Sequence, residues 1–354
     1  MNKYNVQIEI NASLFDALKR MDEVNRKLLI VISNGKYKSV ISIGDIQRGI
    51  LKGVSLDESL SNVLRSNVFV GSEKDSRQEL IDFLLAQKVE FIPIISDKKE
   101  ILEILYWENF SKDTLYKSKK LIDIPVVIMA GGQGSRLKPL TNVIPKPLVP
   151  VGEKPIIQII IERFMEFGCR EFYISINYKG NMIKTYLNDL QLDCELYYFE
   201  EEKPMGTAGS LSLIKDKLKG DFFISNCDIL IDQDFSEVLA YHQRSNNELS
   251  AIAAIKEFSI PYGIFETEAN GKLQAMVEKP SYKFQVNAGI YVLNSSVLDL
   301  VPQDTFFHIT HLMEALSEAD RLVGIFPVSE GAWFDIGVWS EYMKTQELFK
   351  TRYK

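Results

Sequence analysis

From about residue 125 onward, short apolar segments with the character of buried strands alternate with helical segments. Four such strands are predicted, at Pro125–Met129, Glu171–Ile176, Glu195–Phe199 and Asp221–Ser225. Because these strands are apolar along nearly their whole length, both faces must be covered, as in parallel sheets that carry helices on each side. The pattern therefore predicts a doubly wound, mainly parallel α/β sheet.

One helix and one hairpin constrain this fold further. The segment Ile156–Phe167 is apolar nearly all round and stops at Gly168, as expected of a buried helix with a glycine after its C-terminus. In the sequence YGIFETEANGKLQAMVEKP, Asn270 and Gly271 separate two strand-like segments, which is a strong hairpin signal. We therefore expect a β-rich insertion in the sheet domain.

The first third of the chain contains an internal repeat. LLIVIS at Leu28–Ser33 returns 63 residues later as FIPIIS at Phe91–Ser96. Each copy is predicted to contain a helix (Leu14–Met21 or Gln78–Leu85), two strands joined by a turn, and the start of another helix. Two fused copies of this kind usually pack face to face, because neither covers its apolar face alone.

This repeat resembles a tandem pair of CBS domains, an α+β module that we assign to residues 1–115. In that family, Ser/Thr-x-x-Asp at the end of the last strand holds a nucleotide ribose, which implies an adenine nucleotide at Ser42 and Asp45. The second copy has Leu105-Tyr106-Trp107-Glu108 there and lacks the hydroxyl residue. A pure dimerisation module is the alternative. The polar, lysine-rich Ser111–Lys120 predicts a linker, placed at residues 116–122.

Charge and cysteine usage exclude several functional classes. Residues 1–120 carry 19 Lys+Arg and 17 Asp+Glu (net +2), and residues 121–354 carry 22 and 31 (net −9). An acidic half without a basic stripe is a poor nucleic-acid binder.

Three separated cysteines without CxxC spacing indicate reduced thiols, and no apolar run is long enough to span a membrane. We expect a cytoplasmic protein without membrane or nucleic-acid partners.

The segment Val126–Gly152, VVIMAGGQGSRLKPLTNVIPKPLVPVG, carries the strongest functional signal. It lacks the spacing of a P-loop, and Leu137 occupies the third glycine position of the dinucleotide motif GxGxxG. Three glycines nevertheless present backbone N–H groups after the first strand, where open α/β sheets bind ligands. An arginine and a lysine between two prolines add fixed positive charge. These residues are Gly131, Gly132, Gly134, Arg136 and Lys146. We predict a triphosphate site; a simple tight turn is the alternative.

Later motifs turn this signal into a family resemblance. AGGxGxRLxPLT…PKPLxPV resembles the nucleotidyltransferases that make nucleotide sugars from an NTP and a sugar 1-phosphate. The family's other motifs follow in order: KPMGTAGS (Lys203–Ser210), NCD (Asn226–Asp228), PYG (Pro261–Gly263), VEKP (Val277–Pro280), NAGIY (Asn287–Tyr291) and WFDIG (Trp333–Gly337). The resemblance implies a Rossmann-like nucleotidyltransferase domain at residues 123–354.

The resemblance also implies a magnesium site. Asp228 follows an apolar strand and would bind Mg²⁺, and Asp335 would coordinate the same ion from the opposite side. Two carboxylates together with phosphate oxygens are suitable ligands for Mg²⁺. Taken alone, the first could be a helix N-cap and the second a turn residue. Arg136, Lys146 and Asp228 are the expected catalytic residues. They would promote in-line attack of a sugar 1-phosphate oxygen on the α-phosphorus of the NTP, with release of pyrophosphate.

Further residues are assigned to the two substrates by the same resemblance. The expected nucleotide-binding residues are Ala130, Gly131, Gly132, Gly134, Ser135, Arg136, Lys146, Glu201, Gly206 and Thr207. A carboxylate at Glu201 would accept from guanine N1–H and N2–H₂, which favours GTP, although the Glu200–Glu202 run could equally be a solvated turn. The expected sugar-phosphate residues are Gly263, Glu278, Lys279 and Asn287. His308 and His311 are spaced for metal chelation but have no third ligand nearby.

The full architecture resembles bacterial glucosamine-1-phosphate guanylyltransferases of legionaminic acid synthesis. Mannose- or heptose-1-phosphate guanylyltransferases and UTP- or dTTP-using transferases are alternatives within the family. A phosphocholine cytidylyltransferase is disfavoured because no aromatic cage is evident. A nucleotide-sensing regulator without turnover is the alternative of another class. The resemblance further implies a homo-oligomer, either a dimer or a tetramer.

Overall fold

The computed structural model describes residues 5–66, 68–110 and 121–352, with side chains up to residue 347. The chain divides into two compact units. One contains the described residues before 111 together with residues 329–331, and the other contains residues 121–328 and 332–352. The predicted linker lies mostly outside the described residues, as does the polar segment Ser111–Lys120 on which it rested.

The N-terminal unit is built from two three-stranded sheets. Its strands are β1 (Gln7–Glu9), β2 (Leu28–Ser33), β3 (Lys36–Ser42), β4 (Gly71–Ser72), β5 (Phe91–Ile95) and β6 (Ile101–Tyr106); its helices are α1 (Leu14–Val24), α2 (Ile43–Leu51) and α3 (Arg77–Gln87). In each sheet the first strand is parallel to the central one and the third is antiparallel to it. The two sheets therefore have the same topology.

The repeat found in the sequence is present at the same offset in the structure. Helices α1 and α3 begin and end 63 residues apart, each follows a serine N-cap, and each ends at a residue in the left-handed conformation. The copies differ after their third strands. Ser42 caps the nine-residue helix α2, whereas Tyr106 precedes only a short 3₁₀ turn at Trp107–Asn109.

The second unit contains the strands and helices that surround the predicted site. Its strands are β7 (Val126–Met129), β8 (Pro150–Val151), β9 (Lys154–Pro155), β10 (Glu171–Ile176), β11 (Glu195–Glu200), β12 (Asp221–Asn226), β13 (Ile229–Ile231), β14 (Leu249–Ser259), β15 (Ile264–Thr267), β16 (Leu273–Val277), β17 (Ser281–Asn294), β18 (Val323–Ser329) and β19 (Trp333–Asp335). Its helices are α4 (Leu140–Val143), α5 (Ile156–Met165), α6 (Gly180–Asp189), α7 (Gly206–Gly209), α8 (Phe235–Arg244), α9 (Ile309–Glu318) and α10 (Trp339–Arg352).

A seven-stranded sheet in the order β11-β10-β7-β12-β17-β14-β18 forms the centre of this unit. The first four strands are mutually parallel, and antiparallel pairing begins between β12 and β17 and continues between β17 and β14. This confirms the predicted α/β sheet, including all four of its predicted strands. Because β7 lies in the middle of the parallel part, the loop that follows it opens at the carboxyl edge of the sheet.

Apolar helices cover this sheet, as the continuous hydrophobicity of its strands predicted. Phe164 of α5 stacks on Phe235 of α8 with ring centroids 4.3 Å apart, and both rings contact Phe223 of β12. Gly168, two residues beyond the C-cap of α5, has a φ of 98°. A glycine adopts this left-handed conformation without the steric cost that a side chain would bring.

Beyond the sheet, β14 and β17 continue as a two-stranded ribbon, and the segment between them forms the hairpin β15–β16. Their pairing extends to Ser259 opposite Ser281. Asn270 and Gly271 both have positive φ between β15 and β16, which confirms the predicted hairpin and the β-rich insertion. In the described part of the chain, no helix is both long and apolar enough to cross a membrane.

Candidate active site

The glycine-rich loop follows β7 and lies between the neighbouring strands β10 and β12. Ala130 is buried and donates its N–H to Ser175 on β10. Within the described residues, the backbone N–H groups of 131–134 donate to no protein acceptor. Arg136 lies in the 3₁₀ turn Ser135–Leu137 and is exposed. The loop therefore offers open amides followed by a cation, an arrangement suited to phosphate.

The three glycines of this loop have different surroundings. A Cβ at Gly131 would lie 2.9 Å from Glu201 Oε1, whereas a Cβ at Gly132 would meet no atom within 4 Å. Gly134 has a φ of 64°, and a Cβ there would lie 2.9 Å from Lys146 Cβ. Gly131 and Gly134 are thus required by the packing of predicted site residues, and Gly132 leaves the space in front of the loop open.

Lys146 is buried between two prolines in a short 3₁₀ turn, as its sequence context suggested. Its ammonium group donates to Asp228 Oδ2, and each residue is only 9% exposed. A buried ion pair of this kind fixes both side chains, because separating them would leave a charge without a partner in a poorly solvated site. The structure therefore brings together the predicted catalytic lysine and a predicted metal ligand.

The two predicted metal ligands lie at the ends of two paired short strands. β13 follows Asp228 and pairs antiparallel with β19, which ends at Asp335, and Ile336 N–H donates to the Asp228 carbonyl. A Cβ at Gly337 would lie 2.7 Å from Asp228 Oδ2, 2.9 Å from Asp335 Oδ1 and 3.5 Å from Lys146 Nζ. Both carboxylates thus surround one point. Neither residue is a helix N-cap, which was the alternative interpretation of Asp228 in the sequence analysis.

The chemistry of this donor pair fits Mg²⁺. Burial raises the pKa of Asp335, and the charge of Asp228 raises it further, while the Gly337 N–H and the positive charges of Lys146 and Arg136 act in the opposite direction. A divalent cation would relieve the repulsion between two neighbouring carboxylates. No group of three or more metal-ligating side chains occurs among the described residues. Mg²⁺ nevertheless commonly uses one or two carboxylates together with phosphate oxygens.

Glu201 is a buried residue rather than part of a solvated turn. It follows β11, is 8% exposed, and has exposed glutamates on both sides. Ser175 donates to its Oε1, and the Met205 N–H donates to its Oε2 at 3.2 Å. Each carboxylate oxygen has two lone pairs, so both retain a lone pair for a ligand. Its place against Gly131 puts this acceptor beside the glycine loop.

The small residues of KPMGTAGS pack against a neighbouring segment, and nucleotide binding by Gly206 and Thr207 stays a prediction. A Cβ at Gly206 would lie 2.7 Å from the Phe307 carbonyl oxygen. The same carbonyl accepts from the N–H groups of Ala208 and Gly209, and Thr207 Oγ1 accepts from the Ile309 N–H. These residues are small because a neighbouring segment packs against them, and part of their hydrogen-bonding capacity is used within the protein.

The predicted sugar-phosphate residues lie on the ribbon and its hairpin. A Cβ at Gly263 would lie 2.8 Å from Glu278 Oε2, so these two residues are adjacent. Lys279 has a φ of 45°, and both Glu278 and Lys279 are exposed. Asn287 Oδ1 accepts from the Gly289 N–H at 3.0 Å and the Tyr291 hydroxyl at 2.9 Å. Its amide NH₂ is therefore the group left to bind a ligand.

Three residues that the sequence analysis did not single out hold the segment between Arg136 and Lys146. Lys179 Nζ donates to the carbonyls of residues 142 and 143 at 2.6 and 2.7 Å. Tyr178 donates to the Thr141 carbonyl at 3.3 Å, and Trp339 Nε1 donates to the Lys138 carbonyl at 3.0 Å. Side-chain bonds to loop carbonyls leave no spacing pattern, so the sequence contained no signal for them.

The histidine pair does not form a metal site in the described structure. His308 is the N-cap of α9, and its N–H donates to His311 Nδ1 at 3.2 Å. The imidazole rings lie 5.5 Å apart, and the described residues contribute no further carboxylate or thiol to a cluster there. A role at the start of the helix accounts for both residues.

In the N-terminal unit, Ser42 and Asp45 form a capping box at the start of α2. Ser42 N–H and Oγ both donate to Asp45 Oδ2, at 2.9 and 2.7 Å. The other carboxylate oxygen pairs with Arg48 and Arg65 at 2.5 and 2.9 Å. Asp45 is thus buried and already bonded to several groups. A ribose bound there would have to compete with these contacts, and nucleotide binding at this site stays a prediction.

Comparisons with known proteins agree with the architecture. A family model described as Nucleotidyl transferase matches residues 125–352, and a model described as CBS domain matches residues 1–52. Probable mannose-1-phosphate guanylyltransferase 1 from Oryza sativa subsp. japonica is 34% identical over 232 residues, which cover 63% of this chain and 64% of the relative. The mannose-1-phosphate guanyltransferase of Yarrowia lipolytica is 33% identical over 239 residues. The chain thus spans 64% of the length of the first of these relatives.

Solved structures share the fold of the second unit. HddC from Yersinia pseudotuberculosis has a TM-score of 0.51 at 24% identity, and the likeness covers 64% of this chain and 99% of HddC. A putative glucose-1-phosphate thymidylyltransferase from Bacillus anthracis has a TM-score of 0.50 at 21% identity, over 63% and 94% of the two chains. These likenesses identify the architecture of the second unit.

Proposed function

Because the chain belongs to the nucleotidyl transferase family, we propose that it transfers a guanylyl group from GTP to a hexose 1-phosphate, releasing pyrophosphate and a nucleotide sugar. One observation carries this proposal. Asp228, Asp335 and Lys146 surround a single point beside Gly337, at the carboxyl edge of the sheet where a loop of open amides begins. Acidic and basic groups converging beside an amide cradle suit the handling of a triphosphate.

The chain's own residues would act by alignment and charge neutralisation. The open N–H groups of residues 131–134 would hold phosphate oxygens, and Arg136 and Lys146 would offset charge that moves toward the leaving pyrophosphate. No side chain is needed as a nucleophile, because the attacking oxygen of the sugar 1-phosphate is already anionic. Asp228 and Asp335 would hold Mg²⁺, which when bound supplies further neutralisation of phosphate charge.

Two features support GTP as the donor. The Oryza sativa and Yarrowia lipolytica relatives are named as a mannose-1-phosphate guanylyltransferase and a mannose-1-phosphate guanyltransferase. Glu201 places an acceptor-only carboxylate beside the glycine loop, and guanine offers it two neighbouring donors, whereas uracil and thymine each offer one. The CBS-plus-transferase architecture favours glucosamine 1-phosphate as the acceptor, while the relatives' names favour mannose 1-phosphate. A matrix of substrates is therefore the appropriate test.

The test measures pyrophosphate release in the presence of Mg²⁺. GTP, UTP and dTTP are each combined with the 1-phosphates of mannose, glucosamine and a heptose, with and without an adenine nucleotide. We expect release to be fastest with GTP and one hexose 1-phosphate. Faster release with UTP or dTTP would contradict the assignment of guanine. If the protein binds nucleotide but releases no pyrophosphate in any combination, a nucleotide-sensing regulator without turnover would be the better explanation of its function.

A further inference from the structure

Strand β17 contains a bulge between the predicted sugar residue Asn287 and Tyr291. These two residues pair with Ala253 and Ala251 of β14, so four steps along β17 cover the span of two steps along β14. Four regular strand steps would separate the Cα atoms by about 13 Å, and two steps by about 7 Å. The bulge therefore brings Asn287 and Tyr291 closer together, and bulges are common beside active sites.

Gly289 lies at the centre of this bulge. Its φ is 75°, in the left-handed region that favours glycine. A Cβ there would lie 2.7 Å from Asn226 Nδ2, so the space for a side chain is already occupied. The Gly289 N–H donates to Asn287 Oδ1 at 3.0 Å. The glycine thus allows the bulge to form, and the bulge supplies Asn287 with a backbone donor.

Two donors on one oxygen fix the orientation of the Asn287 amide. The Tyr291 hydroxyl donates to the same Oδ1 at 2.9 Å. A backbone N–H can only donate, so turning the amide around would place its NH₂ against the Gly289 N–H. Asn287 is exposed, whereas Tyr291 is only 2% exposed. An exposed side chain that would otherwise rotate freely is therefore held by a buried one.

Tyr291 is itself well fixed and remains a donor. Its side chain belongs to the apolar cluster that contains Ala251 and Leu312. Burial raises the pKa of its hydroxyl to about 12; the hydrogen bond to Asn287 lowers this pKa, and the charge of Asp228 raises it. The hydroxyl is therefore protonated at neutral pH, and a packed ring presents it in one place. Such support from a rigid neighbour is what keeps a binding group in its productive geometry.

Building on the proposed function, we infer that Tyr291 is a positioning residue for the sugar 1-phosphate, which holds Asn287 so that its NH₂ donates to an oxygen of the sugar. An NH₂ group of an amide offers only hydrogens, so its partner has to be an acceptor such as a hydroxyl oxygen. A protonated amino group has no free lone pair. With glucosamine 1-phosphate as the substrate, Asn287 would therefore contact an oxygen of the sugar and not its ammonium group.

The first test compares Tyr291→Phe with wild type in steady-state pyrophosphate release. Loss of the hydroxyl leaves Asn287 Oδ1 with one donor, so we expect the KM for the sugar 1-phosphate to rise by about three- to tenfold while the KM for GTP stays constant. Tyr173→Phe is the matched control. Tyr173 is also buried, and its hydroxyl donates to Glu171 at 2.6 Å, at the start of β10 and away from the carboxyl edge of the sheet. This variant should keep both KM values.

Two outcomes of this comparison would overturn the inference. One is an unchanged KM for the sugar 1-phosphate in Tyr291→Phe. The other is an equal rise in both KM values, which would indicate a general disturbance of the sheet, since Tyr291 contributes to the core. Thermal unfolding of both tyrosine variants shows whether the loss of a buried hydroxyl by itself affects folding.

A double-mutant cycle shows whether Tyr291 acts through Asn287. Asn287 is exposed, so Asn287→Ala should remain folded and tests the NH₂ group on its own. We expect it to raise the KM for the sugar 1-phosphate by about tenfold. Adding Tyr291→Phe to Asn287→Ala should then change nothing further, because the group that Tyr291 positions is gone. Effects that multiply in the double variant would overturn the positioning role.

A binding measurement separates this inference from the proposed function. The same variants are titrated calorimetrically with mannose 1-phosphate and with glucosamine 1-phosphate, in Mg²⁺ and a GTP analogue that carries a methylene group between its α- and β-phosphorus atoms. We expect the dissociation constant of Tyr291→Phe to be about three- to tenfold above that of wild type. Equal constants would overturn the role of Tyr291 alone, whereas an absence of pyrophosphate release by wild type would contradict the proposed function.

Discussion

On the predicted nucleotide side of the site, Lys146, Asp228 and Glu201 are buried and each is already bonded to another protein group, whereas Glu278 and Lys279 on the predicted sugar side are exposed on a hairpin. Buried groups held by neighbours need little reorganisation when a ligand arrives. Exposed groups on a two-stranded element are ordered in part by the ligand itself. The comparison suggests that the nucleotide half is preformed and that the sugar half is completed on binding.

The largest expected effect is on the preformed side. We expect Asp228→Asn to lower kcat by about 10³-fold or more, because it removes a charge that pairs with Lys146 and would help to hold Mg²⁺. Steady-state pyrophosphate release provides the measurement. Asp221→Asn, at the other end of β12, is the control and should keep kcat near that of wild type. Near-normal turnover of Asp228→Asn in Mg²⁺ would remove this residue from the metal.

Glu201→Gln sharpens the comparison through base selection. A glutamine side chain keeps one acceptor oxygen and presents an NH₂ donor where the carboxylate had its second acceptor oxygen. We expect kcat/KM for GTP relative to UTP to fall by about 10- to 100-fold, the range for a lost hydrogen bond to a charged group. The measurement is competition between the two nucleotides. An unchanged ratio would mean that Glu201 only supports Gly131.

On the exposed side, the expected effect is smaller and confined to one substrate. Glu278→Gln should raise the KM for the sugar 1-phosphate by about tenfold, since one charge-assisted hydrogen bond is weakened. The KM for GTP and the melting temperature should not change, because Glu278 is exposed. Glu268→Gln on the same hairpin is the control. A loss of stability in Glu278→Gln would contradict the idea that this half is completed only on binding.

The smallest expected effect concerns the residues that hold the loop of the preformed side. Lys179→Met removes the bonds to the carbonyls of residues 142 and 143. We expect kcat/KM for GTP to fall a few-fold, about 1 kcal/mol, while the KM for the sugar 1-phosphate stays constant. Lys184→Met, one turn into α6, is the control, and Lys179→Arg should restore part of the activity. Equal changes in both KM values would argue against a local effect on the loop.

Much of the fold was predictable because it rests on local signals. The strands of the parallel sheet are apolar throughout, the Asn270–Gly271 turn needs positive φ, and the repeat of 63 residues appears directly as two copies of one topology. The convergence of Asp228 and Asp335 was expected only through the family resemblance. No sequence spacing encodes the antiparallel pairing of β13 with β19 that places them together.

Other features could not be read from the sequence. In KPMGTAGS, Gly206 and Gly209 make room for the backbone of residues 305–307. A sequence shows that a residue is small but not which neighbour requires it to be small. Glu201 could be either a solvated residue or a buried acceptor for the same reason, since its partners Ser175 and Met205 are brought to it by β10 and the start of α7.

The position of Gly337 between the two carboxylates suggests a useful substitution. Its backbone is not in the left-handed region, so alanine is conformationally acceptable there, but the added methyl group would begin less than 3 Å from both carboxylates. Gly337→Ala should therefore yield a folded protein that is stalled before chemistry. Such a protein would be a suitable starting point for capturing both substrates together in a crystal.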